Sequence, residues 1–226
     1  MNAVDLVYWT VGKGILASAT RVLVRIRSYG TERLPREGGV VLAVNHAAFI
    51  DIPVLGTVCS RRIAFVGKTE LFDYPGLGQL IQAHGTIAVR RGESDREALR
   101  RMRETVRDGG ALGLFVEGTR QHSGEPGVAK PGAAMVAIQE GVPVVPVAIH
   151  SSADWKIGTR NPVSLAWGEP MRFADLPRNS KGYQAATREI ESEIRRLWEW
   201  LGRMHELGLP RDATPPRREN VPSRTT

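Results

Sequence analysis

The chain contains one cysteine, Cys59, among its 226 residues. No disulfide can therefore form within it, which is typical of a protein from a reducing compartment. Long apolar runs are also missing. A membrane-spanning helix needs about 20 mostly apolar residues, whereas the longest stretch without an acidic or basic residue, 74–89, contains two glutamines and a histidine. Because Asp5 and Lys13 also interrupt the first apolar residues, we predict neither a membrane span nor a signal peptide.

Lysine is scarce, and acidic residues are outnumbered by basic ones. Five of the 31 basic residues are lysines, and the base composition of the genome is the simplest reason for so many arginines. The net charge of +7 indicates a polyanionic partner, namely nucleic acid, an acidic membrane surface or a phosphorylated substrate. The hydrophobic content of 42% and charged content of 24% exclude a collagen-like or disordered chain. A chain of this length buries a core without disulfides or a structural metal.

From Gly39 onwards, short apolar runs alternate with helical stretches. Strands are predicted over residues 38–46, 61–68, 85–91, 111–118, 142–150 and 162–170, and helices over 51–60, 75–83, 94–108, 131–140 and from Ser180. This alternation, with strands rich in Val and Ile, predicts an α/β fold with a mostly parallel central sheet flanked by helices.

Two of these elements carry a more specific expectation. Pro143 and Pro146 interrupt the strand 142–150, and proline cannot donate to a hydrogen-bond ladder. We therefore expect this strand to be irregular or to lie at an edge of the sheet. Ser94 and Glu97 have the spacing of a capping box, which predicts where the charged helix 94–108 begins.

The two ends of the chain differ in composition from its centre. Residues 3–28 lack proline and carry apolar residues at helical spacing with cations between them, which predicts one or two amphipathic helices. These helices either lie in a membrane interface or pack on their own domain, and the cations favour the interface slightly. We expect an N-terminal membrane-docking segment (1–30), an α/β domain (31–208) and a disordered basic tail (209–226).

Polar residues follow the first buried strand at the point where it ends, and reactive groups gather at such ends in open α/β sheets. His46 leaves the strand, and Asp51 follows five residues later. Across a strand–loop–helix turn the two side chains can meet. Asp51 then fixes the tautomer of His46 and leaves the other ring nitrogen free as a general base. The alternative is that Asp51 caps the helix and His46 is an ordinary loop residue.

Three further strand ends carry unusual residues. Arg90 and Arg91 end one strand, and the alternative to a binding role is a solvated loop. The segment 117–120, Glu-Gly-Thr-Arg, places a carboxylate and a guanidinium around a glycine. Carboxylates accept hydrogen bonds from hydroxyls and arginine suits phosphate, whereas the alternative is a salt bridge between the two charges. The last of these ends is the proline-containing strand.

In this order and spacing, the four strand ends resemble the motif blocks of the glycerophospholipid acyltransferase family, whose best-known members are the lysophosphatidic acid acyltransferases. The resemblance covers about residues 30–167. It implies that His46 is the general base and Asp51 its orienting partner, and that the proline-containing strand helps to place the acyl chain or the acceptor. It also implies that the acceptor is bound by a set of mostly polar residues. These are Lys68, Arg90, Glu117, Gly118, Thr119, Arg120 and Lys130.

The resemblance further implies a reaction. His46 takes the proton of an acceptor hydroxyl, that of 1-acylglycerol-3-phosphate, as its oxygen attacks an acyl thioester of coenzyme A or acyl carrier protein. Phosphatidic acid and a free thiol are the products. No cofactor, metal or covalent enzyme intermediate is expected, because a thioester is already activated. The oxyanion needs donors, and backbone N–H groups after Asn45 or in the proline-containing strand are the candidates.

Two departures from the family pattern leave the acceptor open. Ala48 and Ala88 stand where a hydroxyl residue and an aromatic residue are common, so the acceptor is alternatively a lyso-glycolipid or a lyso-aminolipid. A non-enzymatic nucleic-acid-binding module is disfavoured, because the basic strand ends alternate with His46, Asp51 and Glu117. The expected partners are therefore the lysophospholipid, the acyl donor and an anionic membrane surface. We expect a peripheral or monotopic protein on the cytoplasmic side of the cell membrane.

Overall fold

The structure is a computed structural model that describes residues 14–74, 77–83, 85–89, 95–159 and 161–218. One sheet of seven strands forms its centre. The strands are β1 (Ile26–Tyr29), β2 (Val40–Val44), β3 (Ile63–Lys68), β4 (Ile87–Val89), β5 (Ala111–Phe115), β6 (Val144–His150) and β7 (Val163–Trp167). Their order across the sheet is β1-β7-β6-β2-β5-β3-β4. Neighbouring strands are parallel except β6 and β7, which are antiparallel.

Helices cover both faces of this sheet. In the described part of the chain they are α1 (14–23), α2 (Asp51–Val58), α3 (Leu77–Ala83), α4 (Arg96–Arg107), α5 (Gly132–Glu140) and α6 (Ser180–Glu206), and two short 3-10 helices cover Thr31–Arg33 and Thr69–Asp73. Buried residues of α4, α5 and α6 pack on one face of the sheet, and those of α2 on the other. The predicted α/β fold with a mostly parallel sheet is confirmed.

Strand β2 lies in the middle of both cores. All five of its residues are fully buried. Val41 and Ala43 pack with α4, α5 and α6, whereas Leu42 and Val44 pack with α2. Burial on both faces explains why this strand is a continuous apolar run rather than an alternating one. The loop that follows β2 therefore starts from a rigid and well-packed position.

The two prolines do not put their strand at an edge of the sheet. β6 lies between β2 and β7 and is continuous over Val144–His150, so both alternatives, an edge strand and an irregular strand, are wrong. The carbonyl of Pro143 accepts the N–H of Val41 of β2 at 3.0 Å. The backbone groups of successive residues point alternately to the two neighbouring strands. Those of Pro146, three residues later, therefore point to β7. There the carbonyl of Pro146 accepts the N–H of Gly168 at 2.8 Å. A Cβ on Gly168 would lie 2.6 Å from Pro146 Cγ, so this glycine makes room for the proline inside the sheet.

The predicted N-terminal helical segment ends earlier than expected. Residues 26–29 form β1, which pairs in parallel with β7, so the predicted helix to residue 28 is wrong at its end. Tyr29 is buried and its ring meets Trp200 edge-on, with centroids 5.3 Å apart. Pairing with β7 and this aromatic contact outweigh the helical spacing. Residues 1–13 lie outside the described part of the chain.

The start of α4 also differs by one residue from the prediction. Asp95 is the N-cap, and its side chain accepts the N–H of Ala98 at 2.9 Å. Aspartate and serine are both good N-cap residues, and consecutive candidates are not separated by sequence alone. Ser94 lies outside the described residues.

The residues after α6 are bonded to the domain rather than disordered as far as residue 218. The carbonyls of Pro215 and Pro216 accept hydrogen bonds from the guanidinium of Arg33, at 2.5 and 3.3 Å. The expectation of a disordered tail is therefore wrong for residues 209–218. The low apolar content of these residues gives no indication of an attachment that is made through backbone carbonyls. Residues 219–226 lie outside the described part of the chain.

The attachment of the tail can be tested with Arg33→Ala. This change removes three hydrogen bonds, to the carbonyls of Trp167, Pro215 and Pro216. We expect the free energy of unfolding to fall by about 1–3 kcal/mol, because the lost bonds have a charged donor. Denaturant unfolding measures the change, and Arg36→Ala, which removes an exposed arginine nearby, is the control. Equal stability of the two variants would contradict the attachment.

Candidate active site

His46 and Asp51 meet in the loop between β2 and α2. His46 Nδ1 lies 2.8 Å from Oδ2 of Asp51, which is fully buried. The same oxygen accepts the N–H groups of Ala47 at 2.8 Å and Ala48 at 2.9 Å, and the helix N-cap is Ile50. Because a carboxylate only accepts hydrogen bonds, Nδ1 carries the proton, and Nε2 is the basic nitrogen of the neutral ring. The predicted meeting of the two side chains is confirmed, and Asp51 does not act as a helix cap.

The imidazole is held in place and remains partly accessible. Its ring stacks on Phe115 with centroids 3.9 Å apart and planes inclined by 21°, and 11% of the side chain is exposed. In the part of the chain that the structure describes, no group bonds Nε2. An imidazole that is oriented by a carboxylate and has a free Nε2 can accept a proton from a hydroxyl.

The backbone N–H groups nearest to this imidazole are already used. Those of residues 46–48 all bond to carboxylates, the first to Glu117 and the other two to Asp51. In the proline-containing strand, the N–H of Val144 bonds a backbone carbonyl and that of Ile149 bonds a side-chain amide. Each of these candidate oxyanion donors is therefore hydrogen-bonded within the protein, and the donors of the oxyanion remain a prediction.

Glu117 is buried behind the loop, with 3% of its surface exposed. Its Oε2 accepts the N–H of His46 at 3.1 Å, and its Oε1 accepts the N–H of Gly127 at 3.3 Å. Burial raises the pKa of this carboxyl to about 7; the charge of Asp51 also raises it, and the N–H donors lower it. Glu117 forms no ion pair with Arg120, and each of its oxygens accepts a backbone N–H, so the predicted salt bridge is not observed.

Most of the other predicted acceptor-binding residues are exposed at the carboxyl ends of the parallel strands β3 and β5. They are Lys68, Thr119, Arg120 and Lys130. Gly118 has a φ of +68°, in the left-handed region that favours glycine, and a Cβ there would lie 3.1 Å from Nζ of Lys130. Glycine at this position therefore makes room for the lysine ammonium. Arg90 lies outside the described residues.

An apolar groove of about 210 Å³ lies beside the loop, between α1, α2 and β3. Leu16 of α1, Phe49 of the loop and Phe65 of β3 are among the residues that line it. Phe65 stacks on Phe115 with centroids 6.0 Å apart, and Phe115 is the ring that packs against His46. A short series of aromatic rings therefore connects the groove with the imidazole.

The groove, Phe115 and Asn45 were not predicted from the sequence. The walls of the groove come from segments far apart in the chain, so no local pattern marks them. Asn45 directly precedes His46, and Phe115 lies two residues before Glu117; this proximity is the only local signal. The amide of Asn45 bonds the backbone of Ile149, a contact between two strands that no spacing in the sequence indicates.

Two further properties of the described residues bear on the site. None of the helices there combines the length and the apolar character needed to cross a bilayer. Nor does that part of the chain bring three or more His, Cys, Asp or Glu side chains together as candidate metal ligands. The expectation that no metal or cofactor takes part remains a prediction.

Residues 25–150 match the family model described as Acyltransferase. The matched range is more than half of the chain and contains His46, Asp51 and the predicted acceptor-binding residues. The chain belongs to the acyltransferase family. The predicted resemblance to the glycerophospholipid acyltransferases is thereby confirmed.

Known relatives extend this match. A 1-acyl-sn-glycerol-3-phosphate acyltransferase of Bacillus subtilis is 27% identical over 190 residues, which are 80% of this acyltransferase and 94% of the relative. A lyso-ornithine lipid O-acyltransferase of Pseudomonas aeruginosa is 36% identical over 112 residues, which are 49% of this chain and 42% of the relative. The crystal structure of the 1-acyl-sn-glycerophosphate acyltransferase from Thermotoga maritima has the same fold, with a TM-score of 0.74 at 24% identity over 89% of this chain and 84% of the other.

The pairing of His46 with Asp51 can be tested with Asp51→Asn. The amide keeps the size of the side chain but no longer holds the imidazole with a basic Nε2. We expect kcat of acyl transfer to fall by about 100- to 10,000-fold. Steady-state release of thiol from an acyl thioester measures it. The matched control is Asp175→Asn, a change at an exposed position before α6, and Asp51→Asn with the activity of this control would contradict the pairing.

Proposed function

We propose that this acyltransferase transfers a fatty acyl group from a thioester to the free hydroxyl of 1-acylglycerol-3-phosphate and so forms phosphatidic acid. The observation that carries the proposal is the His46–Asp51 pair, whose Nδ1–Oδ2 distance of 2.8 Å leaves Nε2 as the basic atom. The relative from Bacillus subtilis, aligned over 80% of this chain, bears the name of this activity. This name supports the choice of acceptor.

The reaction follows from the protonation state of His46. Nε2 accepts the proton of the acceptor hydroxyl while the hydroxyl oxygen attacks the thioester carbonyl, and a carbon–oxygen bond forms. The tetrahedral intermediate then collapses, the carbon–sulfur bond breaks, and the imidazolium returns the proton to the leaving thiolate of coenzyme A or acyl carrier protein. Asp51 stabilises the imidazolium between the two steps. A thioester is already activated, so the proposed reaction includes no metal and no covalent enzyme intermediate.

The exposed cations supply the binding site for the phosphate of the acceptor. Arg120 follows β5, Lys130 lies over Gly118, and Lys68 ends the adjacent strand β3. A guanidinium binds phosphate through two parallel hydrogen bonds, and an ammonium adds a compact charge. Arg90 belongs to the same set by family resemblance.

The groove and α1 suit a lipid substrate taken from a membrane. The groove is apolar and reaches the aromatic rings beside His46, so it suits an acyl chain. On α1, Val22 and Leu23 are 85% and 50% exposed. Arg21 on α1 and Arg25 just after it are also exposed, and residues 6–31 contain no acidic side chain. This combination favours an anionic bilayer surface. We propose peripheral docking on the cytoplasmic side of the cell membrane.

A lyso-aminolipid is the second candidate acceptor. The relative from Pseudomonas aeruginosa, 36% identical over 112 residues, acts on lyso-ornithine lipid by its name. Ala48 and Ala88 also stand where the glycerophospholipid acyltransferases commonly have a hydroxyl residue and an aromatic residue. This candidate keeps His46 and Asp51 in the same roles and changes only the group that the exposed cations contact.

The proposed reaction predicts that His46→Ala strongly slows thiol release from acyl coenzyme A in the presence of 1-acylglycerol-3-phosphate. General-base catalysis contributes about 100- to 10,000-fold, so we expect kcat to fall by that factor while the far-UV circular dichroism is unchanged. The same assay of the wild-type protein with lyso-ornithine lipid in place of 1-acylglycerol-3-phosphate distinguishes the two candidate acceptors. A His46→Ala variant with wild-type kcat would exclude His46 as the base.

Arg120→Ala provides the second arm of this experiment. If the guanidinium binds the acceptor phosphate, the KM for 1-acylglycerol-3-phosphate rises and the KM for the acyl thioester does not. Arg36→Ala is the matched control. An unchanged acceptor KM together with full activity would remove Arg120 from the proposed site.

Membrane docking can be tested with the double variant Val22→Ser/Leu23→Ser. We expect binding to vesicles of phosphatidylglycerol and phosphatidylcholine to weaken by about tenfold or more, because two apolar side chains no longer enter the interface. Co-sedimentation measures it. The double variant Ile157→Ser/Leu207→Ser, at two other exposed apolar positions, is the control, and equal binding of both double variants would contradict docking through α1.

A further inference from the structure

Asn45 joins the end of β2 to its neighbour β6. The side chain is 1% exposed; its Oδ1 accepts the N–H of Ile149 at 2.7 Å and its Nδ2 donates to the carbonyl of the same residue at 2.9 Å. The last backbone pair of the two strands is Val44 with Val147. The Asn45 amide thus continues the ladder beyond that pair, and it needs both a donor and an acceptor to do so.

Glu117 and its neighbours join the same strand end to β5. The carbonyl of Val44 accepts the N–H of Val116 at 2.9 Å. At His46, the backbone N–H donates to Glu117 Oε2 at 3.1 Å, and the carbonyl accepts the N–H of Gln121 at 2.7 Å. Both backbone groups of His46 are therefore bonded to the segment that follows β5.

The second oxygen of Glu117 extends this attachment. Oε1 accepts the N–H of Gly127 at 3.3 Å, so one buried carboxylate ties the loop after β2 to the loop that follows β5. A carboxylate that binds the acceptor would need an accessible oxygen. With 3% exposure and a backbone donor on each oxygen, Glu117 offers none.

We propose that Asn45 and Glu117 are positioning residues that fix the backbone on the two sides of His46, and that Glu117 acts through this backbone rather than by binding the acceptor. The proposal rests on the proposed function, because it concerns how His46 is held for that reaction. Placement matters at this level, since a shift of about 1 Å in a reacting group can lower the rate about 100-fold. Arg120, in contrast, is exposed, and in the proposed function it binds the acceptor phosphate.

The first test uses Glu117→Gln, which keeps the shape of the side chain but presents an N–H₂ to one of the two backbone donors. We expect kcat to fall by about 100-fold with an unchanged acceptor KM, because His46 is misplaced while the acceptor site is intact. Arg120→Ala gives the opposite pattern, a raised acceptor KM. The matched control is Glu125→Gln, at an exposed position in the loop after β5. A raised acceptor KM with wild-type kcat in Glu117→Gln would make Glu117 a ligand and overturn the proposal.

The second test does not depend on the acceptor. The proton on His46 Nδ1, bonded to Asp51, gives a strongly downfield signal in the proton NMR spectrum, identified by its loss in His46→Ala. We expect Glu117→Gln and Asn45→Asp to shift or broaden this signal, whereas Glu125→Gln and Arg120→Ala leave it unchanged. A wild-type signal in both Glu117→Gln and Asn45→Asp would overturn the proposal.

The two readouts separate this proposal from the proposed function. If wild-type protein does not acylate 1-acylglycerol-3-phosphate, the choice of acceptor fails, and the NMR signal still tests the positions of Asn45 and Glu117. If Glu117→Gln does not fold, Asn45→Asp is measured in its place with the same two expectations. Wild-type kcat in a folded Asn45→Asp variant would contradict the role of Asn45.

Discussion

The burial of strand β2 on both faces determines how the protein builds its reactive end. Burial of a polar group costs free energy unless the group is hydrogen-bonded, and the residues after β2 are rich in such groups. Asn45 bonds the backbone of Ile149, and the backbone of His46 bonds the segment after β5. In the described residues, two side-chain atoms of the His46–Asp51 pair have no partner, Nε2 of the histidine and Oδ1 of the aspartate. The other polar groups around these two atoms are hydrogen-bonded. Nε2 is the basic atom, and Oδ1 belongs to the carboxylate that stabilises the protonated imidazole.

The surplus of arginine has a partly structural explanation. Arg61 donates to the carbonyls of Pro35, Gly38 and Gly109 at 2.9, 2.8 and 2.6 Å, and Arg33 bonds three further carbonyls. The planar guanidinium suits this role because it presents several donors in a fixed arrangement. Part of the positive charge therefore holds loops together. The net charge alone is a poor guide to the partner, and the few cations at the ends of β3 and β5 are a better one.

The sequence allowed the fold class and the pairing of His46 with Asp51 to be predicted, because both depend on local patterns. Apolar runs mark strands, and a strand–loop–helix turn brings residues five apart together. The central position of β6 was not predictable, since proline is disfavoured inside a sheet for its missing N–H, whereas Pro146 still pairs with β7 through its carbonyl, which accepts the N–H of Gly168. The burial of Glu117 was missed for a similar reason. A carboxylate beside an arginine looks like a charged pair until the backbone donors of residues distant in the sequence are known.

The antiparallel pairing of β6 and β7 has a consequence for where lipid reaches the enzyme. β1 is parallel to β7 and therefore runs against β2, β5 and β6. β1 begins at the end of the sheet where β2, β5 and β6 finish, and α1, which precedes β1, lies at that same end. With β7 and β1 reversed, the helix would lie at the opposite end of the strands. Under the proposed docking through α1, the reversal of two strands shortens the path between bilayer and imidazole, and a lipid presents its hydroxyl to His46 while its acyl chain stays in the membrane.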